Sequence, residues 1–481
     1  MRHPFYYCIK FFRNWGSKES QFLLRSYDSN RMNVSEIVIL GAGPTGLSAA
    51  YHLEQAGFFD YQLFEKDATS GGLCRSVSQD GFTFDYTGHL LHVNDAYFAQ
   101  FIAEVVGLQN FHQINRRSYI YSHNTYTHYP FQVNLHGLPQ EVIIECIEGF
   151  VNRPEQRTKP SSFYQWALRM FGSGIAKHFF FPYQRKIFAY DIKKLSTSWT
   201  GRFVPSTSLS QMLKGAFQAP DPSNSIGYNA QFLYPKQAGI SFWVDKLANA
   251  LHNKALINHE VTEVDVAQKT VTFANGNQVS YTHLISTIPL DILLSTLKEP
   301  SRLQVKRARS HLLCNAVINF NLGVNHAHLS DKHWIYFPEK SFPFYRIGFP
   351  HNFAPASAPP GHSCLYGEIS YLPGKPVNKK KLLDAALHQT KQLLHLSEND
   401  IATELIITIP HAYVIYNHWR DRNITKILRR LGDYNIYSVG RYGAWKYASM
   451  QEALLDGKAI VQQLLPPLLK KEADARILSR S

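Results

Sequence analysis

The segment Glu36-Ile-Val-Ile-Leu40-Gly41-Ala-Gly43-Pro-Thr-Gly46 decides the fold. Glu36 to Leu40 is a short β-branched run, and the glycine cluster behind it opens onto Leu47 to Gln55, a good helix-forming stretch. Tyr61 to Phe64 is a second apolar strand, so the whole reads as the opening of a βαβ unit. In that setting Gly41 makes the tight turn, Gly43 lets the backbone approach a pyrophosphate, and Gly46 completes the spacing. Glu65 ends the second strand about 20 residues further on, where a carboxylate accepts hydrogen bonds from ribose hydroxyls. With strand, helix and acid in register, a bound dinucleotide is expected rather than an empty glycine-rich turn.

The residues after the acid say which dinucleotide. Ser70-Gly71-Gly72-Leu73-Cys74-Arg75-Ser76 places a second glycine pair there. A nicotinamide domain needs no such pair, whereas in FAD proteins of the glutathione-reductase type a Gly-Gly turn and an Arg or Ser approach the diphosphate. Gly71, Gly72 and Arg75 are therefore expected to hold FAD, with an ordinary surface turn as the alternative. The same resemblance implies contacts from the far end of the chain. Val261, on a returning strand, packs on adenine, and Gly440-Arg441 precede a helix beginning near Met450. The N-terminus of that helix would stabilise negative charge on the flavin pyrimidine, most of all in reduced flavin. The expected fold is α/β: a glutathione-reductase-type FAD-binding Rossmann domain with a helical insertion and a mixed or antiparallel sheet domain for the substrate.

Composition agrees with a large folded enzyme. The 481 residues are 14% aromatic and only 18% charged, which supports a sizeable core and excludes a disordered or fibrous chain. No run of about 18 apolar residues occurs, so no integral membrane association is expected. Cys8, Cys74, Cys146, Cys314 and Cys364 lie far apart without CxxC spacing. That fits a reducing, cytoplasmic setting and argues against a disulfide scaffold or structural zinc; no metal site is expected. The net charge of +14 fits nucleic acid, an anionic membrane surface or small phosphorylated ligands. No basic stripe, helix-turn-helix spacing or RNA-binding aromatic signature is read from the sequence, so nucleic acid is not an expected partner.

The pattern along the chain predicts a discontinuous FAD domain over 32–105, 236–300 and 430–468. Residues 1–31, with Arg2, Lys10, Arg13, Lys18, Arg25 and Arg31 against two acids, are expected to be a loose extension or an over-long start. Residues 106–235 are expected to be mainly helical, from the faces in Leu138 to Phe150 and Phe163 to Phe181. Strands are expected at Glu260 to Val266, Thr270 to Phe273, His283 to Ile288 and Tyr434 to Val439. Residues 301–429 form the expected sheet and substrate domain, and 469–481 a tail.

Between the flavin elements the sequence resembles UDP-galactopyranose mutase, particularly its larger eukaryotic-type members, from about residue 34 to 465. The segments that carry this are Gly88-His89, Tyr129-Pro-Phe-Gln132, Phe181 to Lys186, Trp199-Thr-Gly-Arg202, Tyr228-Asn229-Ala230 and Trp334-Ile-Tyr336-Phe-Pro338. Phe344-Tyr345-Arg346, Ala412-Tyr413 and the run from Gly440-Arg441 to Trp445-Lys-Tyr447 continue it. Protoporphyrinogen oxidases and amine oxidases share the cofactor motifs but not this middle set. The resemblance implies interconversion of the pyranose and furanose forms of a UDP-sugar by attack of reduced flavin N5 on the anomeric carbon, as in cell-surface polysaccharide biosynthesis. It also implies a small nucleotide-sugar substrate and an external reductant such as NADPH.

In residues, it implies that Arg346 and Arg202 clamp the departing diphosphate, as guanidinium groups do with paired hydrogen bonds. Tyr336, Tyr413 and Tyr447 would bond the diphosphate, with core packing as the alternative. Asn229 would orient the nucleotide, and Tyr129 and Gln132 would face uracil. His89 would respond to the flavin's redox state. Arg346 lies in an aromatic segment where an unpaired cation is costly, so it is expected either to await an anionic ligand or to sit in a buried salt bridge.

The sequence also departs from the family. Gln184 and Phe188 stand where mutases commonly have Asn and Trp, and Tyr447 is followed directly by Ala448-Ser449-Met450 where an Asn-Gln-Asp-His-Ser stretch is usual. An FAD-dependent oxidoreductase of the amine oxidase or protoporphyrinogen oxidase type, and a nucleotide-sugar-binding flavoprotein without turnover, are therefore the rival readings.

Overall fold

The computed structural model describes residues 33–155, 158–201, 204–219, 230–237, 239–300 and 303–478. Arg202, Asn229 and the extension 1–31 lie outside the described residues.

Among the described residues, two seven-stranded sheets organise the molecule. The first is built on Asn33–Leu40, which pairs in parallel with Tyr61–Phe64 on one side and with Gln278–Ser286 on the other. Ile37 to Leu40 are fully buried, as a central parallel strand requires, covered on both faces. The helix Pro44–Gln55 leaves Asn33–Leu40 through the glycine turn and packs against the last helix, Met450–Leu478. Thr270–Phe273 and Val261–Asp265 continue the sheet antiparallel, Leu297–Lys298 closes one edge, and Ile436–Ser438 pairs in parallel with Gln278–Ser286. The doubly covered α/β architecture read from the glycine turn is the architecture observed.

The second sheet runs in the order Ile401–Ile409, Ala316–Val324, Ser363–Tyr371, Arg346–Gly348, Trp334–Tyr336, Ser118–Ser122 and Thr125–His128. All its pairings are antiparallel except Trp334–Tyr336 with Ser118–Ser122. Ala316–Val324 is buried throughout. A separate apolar core, including Phe337, Phe344 and Leu365, lies under the helix Lys379–Leu393.

Three expectations need correction. Residues 106–235 hold the helices Gln140–Val151, Phe163–Ile175, Phe181–Phe188 and Leu209–Phe217, but also four strands. Of these, Ser118–Ser122 and Thr125–His128 form a hairpin that extends the second sheet. Burial alternates along Ser118–Ser122, and the left-handed pair His123-Asn124, with φ of 53° and 56°, closes the hairpin. The long aromatic helix is also broken, at Gly172. Its φ is +78°, and a Cβ there would overlap the carbonyl of Gly149 on the neighbouring helix.

A basic stripe does exist. Arg422, Lys426, Arg429 and Arg430 share the exposed face of the helix His418–Gly432, opposite buried Ile424, Ile427 and Leu431. Finally, the last helix runs on to Leu478, so no separate tail begins at 469. No helix among the described residues is long and apolar enough to cross a membrane.

Candidate functional site

The loops at the carboxyl end of the first sheet open into a cavity of about 1200 Å³, walled on the far side by the second sheet and the helix Phe181–Phe188. That exceeds the roughly 300–1,000 Å³ of pockets for one small ligand, and suits two ligands end to end.

At the cofactor end the two glycine turns are bolted together. Gly71 donates its N–H to the Ala42 carbonyl at 2.8 Å, and Gly72 packs on Gly43. Gly41 has a φ of +93°, and a Cβ on Gly46 would lie 1.9 Å from the Gly41 oxygen, so both positions are fixed by the turn itself. Gly43 is different: a Cβ there would meet nothing closer than Gly72 Cα at 3.8 Å, and the residue lines the cavity. The bare backbone leaves a cradle ahead of the amides of the helix Pro44–Gln55, which is what a diphosphate needs.

Glu65 is buried at the rim of this cradle, its Oε2 accepting from Ala42 N at 2.8 Å and its Oε1 from Asp67 N at 3.1 Å. Arg75 donates to the Gly72 carbonyl at 2.7 Å and pairs with Asp67 at 2.9 Å, which makes it a strut of the Gly-Gly turn as well as a cavity residue. Val261, with His259 and Glu260, lines the same end. Gly46, Gly71 and Gly440 are not on the cavity surface. They act one layer back, Gly440 with a φ of +83° against Thr45. These residues fit FAD.

Arg441 and Met450 line the middle of the cavity. Arg441 donates to the carbonyls of Ala448, at 2.6 Å, and Ala412, at 3.0 Å, and its guanidinium lies 4.8 Å from the centre of the Tyr447 ring. Ser449 caps the last helix in a reciprocal pair with Glu452, their bonds 2.7 and 3.3 Å, and Ala448, Ser449, Met450 and Ala453 at this N-terminus line the cavity.

The far end gathers aromatic side chains around Arg346, with Arg116 over the Tyr129 ring at 4.9 Å. Arg346 and Tyr336 are directly opposite on adjacent strands. Tyr129 is tilted against Tyr336 and Tyr183 meets it edge-on, with ring centroids 5.1 and 5.4 Å away, and Tyr413 lies nearly parallel to Tyr447 at 6.0 Å. Burial pushes the phenols of Tyr129, Tyr413 and Tyr447 up, so all three stay protonated and able to donate. Gln132 is buried beside them and donates its amide to the Pro205 carbonyl at 2.7 Å. His89 reaches the cavity between the two ends. Burial, reinforced by Arg441 and Arg346, pushes its imidazole down to about 4, so it is neutral near pH 7.

Arg346 does not wait for an anion. It pairs with Glu368, which is fully buried, through two hydrogen bonds of 2.6 and 3.2 Å. Of the two readings of its aromatic surroundings, the buried salt bridge is the one realised. Glu368 and His411 were not read from the sequence, and Tyr183 and Tyr345 were given no site role although their segments carry the resemblance; of the four, all but Glu368 line the cavity, as does His92, which lacks a motif context. Ser363–Tyr371 is a strand buried almost throughout, and the register of two strands is what places Glu368 opposite Arg346.

Comparison with known proteins agrees with this geometry. The profile of the family described as flavin containing amine oxidoreductase matches residues 44–465. A crystal structure of reduced UDP-galactopyranose mutase is 30% identical, with a TM-score of 0.84 over 90% of this chain and 95% of that one. A putative protoporphyrinogen oxidase from Exiguobacterium has the same fold at 16% identity, with a TM-score of 0.69 over 90% of this chain and 99% of that one. The 4,4'-diapophytoene desaturase of Staphylococcus aureus is 33% identical over 86 residues, 18% of this chain. The match spans only 17% of the desaturase's own length.

Proposed function

The chain belongs to the flavin containing amine oxidoreductase family, and from that membership we propose that it is a mutase-like flavoenzyme acting on a UDP-sugar. FAD binding follows from the family and from the two interlocked glycine turns. The observation that carries the finer reading is the continuity of one cavity from those turns to Arg346 and the tyrosines, joined to likeness along 90% of the chain to a mutase.

In this reading the bound flavin, when reduced, supplies N5 as the nucleophile for the anomeric carbon. The protein's own residues do the rest. Arg346, with the hydroxyls of Tyr336, Tyr413 and Tyr447 as donors, holds the diphosphate as it departs and returns. Arg202 is proposed as the second clamp, Asn229 as a nucleotide contact, and Tyr129 and Gln132 as the uracil end. Arg441 and the N-terminus of the last helix stabilise negative charge at the flavin. Trp334 and Tyr345, each almost fully buried on the cavity wall, keep water from the reacting carbon. Neutral His89 accepts or donates one proton between the two ends. An external reductant such as NADPH would load the enzyme, and the free cysteines Cys74, Cys146, Cys314 and Cys364 support a reducing, cytoplasmic setting.

One observation favours a second reading, an oxidoreductase of the amine oxidase or protoporphyrinogen oxidase type. The Arg346 charge is already balanced by Glu368, and the chain passes from Tyr447 straight into a capped helix without a polar sugar-facing loop. Incubation of the reduced and of the oxidised protein with UDP-galactofuranose, followed by chromatography, separates the two. The expected result is conversion by the reduced form alone. No conversion in either state, with oxygen consumed on amines or porphyrinogens, would replace the mutase reading.

A further inference from the structure

Lys186 closes the segment Phe181 to Lys186, and its ammonium does not enter the cavity lined by its neighbours Tyr183, Gln184 and Ile187. It points instead to the loop joining Trp334–Tyr336 to Arg346–Gly348. There Nζ donates to the carbonyl of Phe337 at 2.5 Å and to that of Phe344 at 3.0 Å. Phe337 directly follows Tyr336, and Phe344 precedes Arg346 by two positions. One cation thus holds both ends of the loop whose flanking strands present Tyr336 and Arg346 side by side.

We infer that Lys186 is a positioning residue for the diphosphate end of the site, fastening the Tyr336–Arg346 hairpin to the helix Phe181–Phe188 that walls the same side of the cavity. The inference rests on the proposed role of Tyr336 and Arg346 as diphosphate contacts.

The geometry around the lysine supports this. Beyond the ladder that pairs Trp334–Tyr336 with Arg346–Gly348, Phe337 N–H donates to the Tyr345 carbonyl at 3.0 Å at the neck of the loop. The rest of the loop packs Phe337 against Phe342 and Phe344, and its tip is anchored by Glu339, which accepts from His123 N at 2.6 Å, and by the Ser341 carbonyl, which accepts from Gln389 Nε2 at 2.7 Å. The strand ladder sets the register, and two directed bonds from the part-buried Lys186 tie the neck of the loop to the helix Phe181–Phe188. Glu339, on the same loop, favours the charged form of the lysine, while burial dominates and pushes the ammonium down to about 7. A cation kept at that cost in solvation is replaced without loss only where its hydrogen bonds do nothing. A bare structural role would leave the nucleotide affinity untouched, and the positioning role does not.

Lys186→Met keeps the length of the side chain and removes both donors, and Lys186→Arg restores two donors in nearly the same place. Each FAD-loaded variant is compared with the unaltered enzyme by hydrogen exchange at the amides of Phe337 and Tyr345 and by UDP titration. In the Met variant, exchange at these amides is expected to quicken at least tenfold and UDP affinity to fall at least tenfold, with the flavin spectrum and content unchanged. The Arg variant is expected to recover most of both. Unchanged exchange in the Met variant would overturn the inference whatever UDP does, as would faster exchange with undiminished UDP affinity. Absence of UDP binding by the unaltered enzyme would instead defeat the diphosphate reading, and the exchange result would still decide whether Lys186 holds the hairpin.

Discussion

Arg346 grips Glu368 with two nitrogens, Nη2 to Oε1 at 2.6 Å and Nε to Oε2 at 3.2 Å, across two adjacent antiparallel strands. The pair separates what Arg346 does for the fold from what it does for a ligand. Arg346→Ala leaves a fully buried carboxylate without its cation, a loss of about 3–5 kcal/mol. A marked fall in melting temperature is expected. Arg346→Met combined with Glu368→Leu removes both charges and should regain most of that stability. UDP affinity should stay at least tenfold down in both. If the double variant binds UDP normally in a titration, Arg346 is no part of the ligand site.

The glycine turns predict two different failures. Gly46→Ala drives a Cβ to 1.9 Å from the Gly41 oxygen, so the turn must open, and the variant should be poorly folded. Gly43→Ala meets only Gly72 Cα, at 3.8 Å, so the protein should fold and melt much as before. Its methyl group fills the cradle, however, and the ratio of flavin to protein absorbance after purification should fall severalfold. Full flavin content in Gly43→Ala would remove the diphosphate from that turn.

Three buried groups carry large shifts on the acid limb of stability, and burial lowers His52, His92 and His351 in the same sense as the two histidines among them. Burial, with Arg441 and Arg346, pushes His89 down to about 4, and burial with Arg117 pushes His333 down to about 3. The unfolded chain protonates its histidines near 6.5, so their contribution is complete above that value and is lost as pH falls toward 4 and 3. Asp85 has the opposite sign. Burial pushes it up to about 6 despite bonds from Ser76, Tyr234 and Ile240, so folding gains as pH drops through 6. The two histidines have the larger combined shift and dominate. The flavin-free protein should therefore melt lower as pH is taken from about 7 to about 5. His333→Gln should flatten that slope and Asp85→Asn steepen it; a melting temperature independent of pH in this range would contradict the assignment.

Arg441 is bonded to two carbonyls, those of Ala412 and Ala448, and to no carboxylate among the described residues. A cation without a counter-anion at the flavin end favours the anionic reduced cofactor. Arg441→Met should shift the flavin midpoint potential to more negative values in a spectroelectrochemical titration, and Arg441→Lys should restore part of it. An unshifted potential with bound flavin would place Arg441 outside the cofactor's field.

What could be read in advance follows the range of the interactions. The turn at Gly41 to Gly46, the strand Tyr61–Phe64 and the hairpin strand Thr270–Phe273 are set by local pattern, and all three were legible. Glu368 was not, because its partner is fixed by the register of two strands far apart in the chain. The Ser118–Ser122 and Thr125–His128 hairpin was masked by strongly helical sequence on its C-terminal side. The basic face of His418–Gly432 was missed although Arg422, Lys426, Arg429 and Arg430 recur at helical spacing, because it emerges only when the apolar positions between them are seen to be buried.

The sheet walling the cavity joins strands at 118–128 to strands at 316–409, and the cofactor sheet receives its strand Ile436–Ser438 and its closing helix last. During synthesis, therefore, neither half is complete until most of the chain has left the ribosome. The early βαβ unit must wait with its apolar sheet edge uncovered, a long-range closure of the kind that slows folding and invites chaperones. Acquisition of yellow colour would then mark the end of synthesis rather than its beginning, and a prematurely terminated chain should remain colourless.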